Sequence, residues 1–222
     1  MDANYQPATY VGKQAGNGVV HSNGNALGVA AIDTDSQVHR PAVDYDRLLW
    51  LGREMLIAIG EDPDRPGLVD TPRRWAKSWR EFIEYDPGKI ETLFEHVTVD
   101  QMVVISGMRV WSMCEHHCLP FYCDVTVGYI ASSHVLGLSK FARIAHMHAH
   151  KLQIQERLVQ EIADSIQTVT GSGDVAVVAT GEHLCMTMRG VRTPAVMRSS
   201  VLRGAFRENP EVRAEFYTVA KQ

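Results

Sequence analysis

At 222 residues, with 45% hydrophobic and 22% charged side chains, the chain has ordinary globular composition and can bury a real core. Its formal net charge of -4 excludes a general nucleic-acid-binding role, so an anionic ligand must be held by a local basic cluster against the global sign. No apolar run reaches membrane-spanning length, and Met1-Asp2-Ala3-Asn4 lacks the basic end and apolar stretch of a secretory signal, which predicts a cytoplasmic protein with no membrane partner.

Residues 1–40 are rich in Gly, Asn, Ser and Ala and carry no sustained apolar period, so they read as a flexible N-terminal tail. Asp44 can cap a helix running to about Ile59, with Leu48, Leu49, Leu51, Met55, Leu56 and Ile59 as its apolar stripe. Gly60 to Gly67 is a loop by its Gly and Pro content. Thr71 then reads as an N-cap, with Pro72 in the first turn of a second helix. Arg73 and Arg74 follow, where the helix dipole prefers acids. Cations beside exposed N–H groups suit a phosphate, although a solvated basic turn has the same pattern.

Met102–Met113 and Phe121–Ile130 look extended, the second with Val125, Val127 and Tyr129 on one face. Ser139 reads as the N-cap of a helix that carries Lys140 and Arg143 on one side. Ile154, Leu158, Ile162 and Ile166 form the core stripe of the next helix, with Gln155 and Glu156 at its beginning and Gly171-Ser172-Gly173 at its end. Asp174–Thr180 reads as a buried strand, Met186–Arg189 as its extended continuation, and Met197–Phe206 as a last strand. The order strand, strand, helix, helix, strand, strand predicts an α+β domain with helices on one face of an antiparallel sheet.

The chemistry concentrates in Met113-Cys114-Glu115-His116-His117-Cys118-Leu119-Pro120, between the first two strands, and in Glu182-His183-Leu184-Cys185. With reduced thiols, the four cysteines read as ligands or free thiols rather than disulfides. Cys114, His117 and Cys185 supply three zinc ligands, which leaves a position for water as catalytic sites do. Cys118 or His183 could instead close a structural site. The directly adjacent Leu119-Pro120 suggests that Cys118 is a small buried residue, and Cys123 reads as packing. His116 and His183 remain as acid/base groups beside the metal. Arg74, Lys77, Lys140, Arg143 and Arg189 together could hold a polyphosphate. Glu156 could accept the N1–H and amino hydrogens of a guanine, or be a solvent-facing helix acid. His146, His148 and His150 read as an exposed polar helix face.

Five stretches in order resemble the type I GTP cyclohydrolases: Thr71–Lys77, Cys114–Phe121, Gly137–Ile144, Leu152–Leu158 and Glu182–Gly190. The resemblance covers roughly residues 44 to 220. It implies a tunnelling fold: a four-stranded antiparallel sheet with two helices on one face, preceded by N-terminal helices and assembled into an oligomeric β-barrel. It implies a helical region over 41–98, a catalytic domain over 99–222, and a homodecamer of two pentamers with active sites between subunits. The implied reaction converts GTP to 7,8-dihydroneopterin triphosphate and formate. Carried over by motif, Cys114, His117 and Cys185 would bind Zn2+, and His116 and His183 would move protons. Glu156 would anchor guanine with Gln155 and Ser139 nearby. Lys140, Arg143 and Arg189 would hold the triphosphate, joined by Arg74 and Lys77 from a neighbouring subunit. Two places depart from the family pattern: Cys123-Asp124 stands where Gly-Lys is common, and the His146/His148/His150 triplet replaces acidic, aromatic and arginine residues. A different class of reading, a catalytically silent zinc- and nucleotide-binding partner, is favoured by loss of His116 or His183, and both are present.

Overall fold

Asp44 starts the first helix, α1 (Tyr45–Ala58), because its carboxylate accepts a hydrogen bond from the Arg47 N–H and so satisfies one open donor of the first turn. The computed structural model describes residues 42–90, 93–95, 101–131 and 134–221, so the expected tail over 1–40 lies outside the described residues. Helix α2 (Thr71–Ile83) begins one residue earlier than expected. Asp70 is its N-cap, since a Thr71 N–H to Leu68 carbonyl bond has already turned the chain. The two helices meet at Gly52, where a Cβ would fall 3.0 Å from the Trp75 ring and 3.2 Å from Pro72 Cα.

The main sheet is built from β2 (Gln101–Cys114), β3 (Pro120–Ala131), β6 (Val175–His183) and β7 (Met197–Leu202), all antiparallel neighbours. A fifth strand, β5 (Leu152–Gln153), pairs in parallel with the end of β2, so the sheet has order β5-β2-β3-β6-β7 and is mixed. The expectation of four antiparallel strands is therefore corrected. The chain emerging from α3 (Leu138–Ala149) runs alongside Met113 and Cys114, and the Glu115 N–H donates to the Gln153 carbonyl at 3.1 Å. A separate two-stranded piece pairs β1 (Leu93–Glu95) with β4 (His134–Leu136). Between Ile105 and Met108 the β2–β3 register slips by a bulge at Gly107, which takes φ of 73°.

Helices α3 and α4 (Gln155–Thr170) cover one face. Phe121, Cys123, Val125, Val127 and Tyr129 point to that side from β3, and Leu158, Ile162 and Ile166 meet them from α4; all are 0% exposed. Gly171, in the left-handed region, ends α4 as expected. Helix α3 starts at Leu138 with Gly137 as its cap, and Ser139 sits exposed in the first turn rather than capping it. The turn closes early, through the Lys140 N–H to Gly137 carbonyl bond.

Two further departures come late in the chain. Met186–Arg189 is not an extension of the strand: β6 stops at His183 and the chain makes a helical turn, α5 (Leu184–Thr187), held by the Met188 N–H to Leu184 carbonyl bond. The last strand ends at Leu202, because the Asp174 carboxylate accepts the Ala205 N–H at 2.7 Å and starts α6 (Ala205–Glu208). Helices α6 and α7 (Pro210–Val219) then bury Phe206 and Phe216 against Met102, Val104, Ile130 and Leu202, which form part of the sheet's second face. Among the described residues no helix is long and apolar enough to cross a membrane.

Candidate active site

The Cys/His segment is a tight turn between β2 and β3. The Cys114 carbonyl accepts from the Cys118 N–H at 2.8 Å and from the His117 N–H at 3.3 Å. That turn folds the imidazole of His117 back on the thiol of Cys114, with Sγ to Nδ1 at 3.6 Å. The helical turn α5 brings Cys185 to the same point, and the ligand atoms of Cys114, His117 and Cys185 lie within 4.8 Å of one another. Tetrahedral zinc with ordinary Zn–S and Zn–N bonds sets neighbouring ligand atoms about 3.5 Å apart, so the Cys114–His117 spacing suits the ion. Burial and the neighbouring Cys114 sulfur push the Cys185 thiol up. Two crowded sulfurs beside an imidazole are a donor set that a soft divalent cation would neutralise. The residues present fit the metal.

Cys118 stands apart from this group. It takes φ of 51° at the end of the turn and is exposed, which corrects the expectation of a buried residue. All four cysteines are free thiols. Cys123 is packed as expected, and burial pushes its thiol up to about 12, which makes it inert.

His183 closes β6 and stacks on Phe121 with ring centroids 4.4 Å apart and planes at 7°. Its Nε2 lies 3.0 Å from Gln155 Oε1. Burial holds its imidazole below the usual histidine range, partly offset by the Glu156 carboxylate. His116 is exposed on the turn, its Nδ1 4.0 Å from Cys114 Sγ. Glu156 is exposed at the start of α4, while Gln155 beside it is 0% exposed. Arg189 is exposed, and its charge reaches the Cys185 thiol.

Lys140 and Arg143, in the first half of α3, donate to the carbonyls of Lys89 (2.8 Å) and Pro87 (2.5 Å). Gly88 between those carbonyls has φ of +67°, and a Cβ there would fall 2.0 Å from Arg143 Nη1. Arg74 and Lys77 project from the exposed side of α2 and pair with Asp70 (3.3 Å) and Glu81 (3.4 Å) of their own segment. The single chain thus joins Cys114, His117 and Cys185, sets His183, paired with Gln155, two residues before Cys185 along the chain, and ties Arg74 and Lys77 to partners elsewhere.

A GTP cyclohydrolase I family model matches residues 51–221. The chain is 45% identical over 169 residues to GTP cyclohydrolase 1 1 of Pseudomonas syringae pv. tomato, covering 74% of this chain and 90% of that protein. It is 45% identical over 178 residues to GTP cyclohydrolase 1 of Hyperthermus butylicus, covering 80% and 91%. With GTP cyclohydrolase 1 of Deinococcus radiodurans the identity is 44% over 176 residues, covering 77% and 82%. The chain belongs to the GTP cyclohydrolase I family.

In this family member a polar network behind the metal turn escaped the sequence. Arg157 forms an ion pair with Glu115 and donates through Nε to Gln153 Oε1 at 2.6 Å. Gln153, itself 0% exposed, donates to Glu161 at 2.8 Å. Lys151 donates to Glu161 at 2.8 Å, and His148 Nδ1 lies 3.4 Å from it. The histidine triplet is also not an exposed face. His148 faces Ser165 at 2.7 Å, and His150 stacks on Tyr85 at 3.9 Å. His146, whose imidazole burial pushes down, lies 5.8 Å from the same tyrosine ring. The reason is tertiary: Phe82 and Tyr85, at the end of α2, fold over this side of α3. The clue in sequence was the polar run Gln153-Ile154-Gln155-Glu156-Arg157 opening an otherwise apolar-striped helix.

Proposed function

We infer that the chain hydrolyses GTP to 7,8-dihydroneopterin triphosphate with release of formate, the first step of pterin and folate biosynthesis. The observation that carries this is the convergence of Cys114, His117 and Cys185 beside His183 and Glu156, in a chain of this family. Cys114, His117 and Cys185 would hold zinc, their ligand atoms lying within 4.8 Å of one another. When bound, zinc acts as a Lewis acid that makes water nucleophilic near neutral pH. The protein's own groups do the rest. Glu156 accepts hydrogen bonds from the guanine N1–H and amino group, which rejects purines lacking that donor pair. Lys140, Arg143 and Arg189 hold the triphosphate; Arg74 and Lys77 complete the cation set from a neighbouring subunit of a decamer of two pentamers. His183, stacked on Phe121 with its Nε2 beside Gln155 Oε1, takes a proton as water adds to C8 of the base and returns it as the ring C–N bond opens. His116, exposed on the same turn, serves the proton transfers of the second hydrolysis, which frees formate. Rearrangement of the ribose and ring closure expel one water, so the balance is GTP plus one water to product plus formate. The tunnelling fold and a cytoplasmic setting, where the free thiols stay reduced, belong to the same reading.

The direct test incubates zinc-loaded protein with GTP and follows formate together with the absorbance of a reduced pterin. Both are expected, and both are expected to disappear with a chelator or in Cys185→Ser. GTP binding without formate release would instead mark a silent zinc- and nucleotide-binding protein.

A further inference from the structure

Gln155 and Glu156 are neighbours at the start of α4, yet they face opposite surroundings: Glu156 is exposed, and Gln155 is 0% exposed. The buried amide is fully engaged. Its two Nε2 hydrogens are shared among the Ala179 carbonyl (3.1 Å), the Met197 carbonyl (3.2 Å) and Ser199 Oγ (3.1 Å). Two of those partners are backbone carbonyls, which only accept. Turning the amide over would set Oε1 against both, oxygen to oxygen, inside the protein. Its orientation is therefore fixed by β6 and β7, with the NH2 toward the strands and Oε1 toward His183. An amide oxygen also only accepts. The 3.0 Å contact to His183 Nε2 is thus a hydrogen bond only if Nε2 carries the proton.

Two other features hold the pair in place. The His183 ring lies flat on Phe121, at 4.4 Å and 7°, which sets its plane. Gly181, two residues before it on β6, has no Cβ where one would fall 2.7 Å from Gln155 Oε1 and 2.5 Å from the Tyr122 carbonyl. A side chain at that position would force the amide away.

We propose that Gln155 is a positioning residue rather than a substrate contact, and that it fixes His183 as the Nε2–H tautomer with Nδ1 as its basic nitrogen. In the neutral ring Nδ1 then holds the lone pair. During turnover an O–H bond breaks, an Nδ1–H bond forms, and the positive charge spreads to Nε2–H, which stays bonded to Gln155 Oε1. The return step reverses this at the same atom. Gln155 is to His183 what the second partner of a catalytic histidine is elsewhere: it selects which nitrogen does the work. The proposal rests on His183 being an acid/base residue of the GTP reaction.

The test is solid-state nitrogen-15 NMR of the zinc-loaded full chain with labelled histidine, the His183 signals being identified by difference from His183→Asn. At a pH where the ring is neutral, a protonated Nε2 and an unprotonated Nδ1 are expected. An Nδ1–H tautomer in the wild type overturns the proposal, whatever any variant does. Gln155→Met is expected to give a mixture of tautomers and to lower kcat on the order of 10²-fold with KM for GTP little changed. A raised KM with the wild-type tautomer retained would mean that Gln155 contacts substrate, and would overturn it too. If Gln155→Met fails to fold, the wild-type spectrum still decides. If the protein releases no formate from GTP, the proposed function fails, while the tautomer remains readable by itself.

Discussion

Glu161 shows how much one side chain can concentrate in this protein. Burial alone would push its carboxyl up, but the hydrogen bonds and charges of His148 and Lys151 outweigh this and hold it at about 2. A carboxyl depressed in the folded state stabilises the fold above its unfolded value of about 4.5, and that contribution is lost as pH falls toward 2. Glu161→Gln is therefore expected to cost roughly 1.5–3 kcal/mol at pH 7, the range for hydrogen bonds to charged groups. The gap between wild type and variant should close between pH 4.5 and 2 in paired thermal melts. A gap that stays constant with pH would mean that the carboxylate's charge contributes nothing. The residue scale is also where sequence was most and least informative. The convergence of Cys114, His117 and Cys185 was legible because metal chemistry restricts ligand types and spacing. Arg157 was not, because its partner Glu115 is brought alongside by a parallel two-residue strand contact that no local period encodes. Asp124, read from sequence as a departure from the resembled pattern, has a local partner: Arg109, directly opposite on β2, grips it with two 2.8 Å bonds.

At the scale of elements, the junction of β5 and α4 does most of the organising. Over five residues it supplies Gln153 to the metal turn's backbone, Gln155 to His183, Glu156 to the open side and Arg157 to Glu115. Arg157→Ala would take from Glu115 its guanidinium partner, leaving only His116 at 4.0 Å among the described residues, and release one tether of the turn. Supporting partners of this kind typically change metal affinity by about 10–100-fold when removed. Zinc competition against a chromogenic chelator should show a loss in that range; equal retention by Arg157→Ala and wild type would reduce the network to simple scaffolding. The helices α1 and α4 were legible because their apolar spacing and caps agree, Asp44 at one and Gly171 at the other. The C-terminal helices were missed, although Asn209-Pro210 is an N-cap followed by proline, and Asn209 Oδ1 does accept the Glu211 N–H at 2.8 Å. What hid them was the preceding strand pattern, which runs on to Phe206 in sequence but is cut at Leu202 by the Asp174 carboxylate.

In the single chain the proposed metal ligands and two of the proposed phosphate cations stand on separate elements. The cluster of Cys114, His117, Cys185 and His183 sits at the β2–β3 and β6 ends, whereas Arg74 and Lys77 lie on α2 and hold acids of their own segment. Helix α1, packed on α2, leaves Trp50, Leu51, Met55 and Ile57 exposed, more large apolar surface than a lone helix pair keeps in water. Both facts fit an assembly in which α1 and α2 pack on another copy and carry their cations into its site. That arrangement predicts complementation. The double variant Arg74→Ala/Lys77→Ala and the variant Cys185→Ser should each release almost no formate alone. Coexpressed in equal amounts and randomly assembled, they should form intact sites wherever a wild-type α2 meets a wild-type cysteine, about a quarter of all sites. Formate release near a quarter of the wild-type rate per subunit would locate the two groups on different chains. If every site drew all its residues from one chain, no mixture of the two could restore activity, and coexpression would stay at the background of the separate variants.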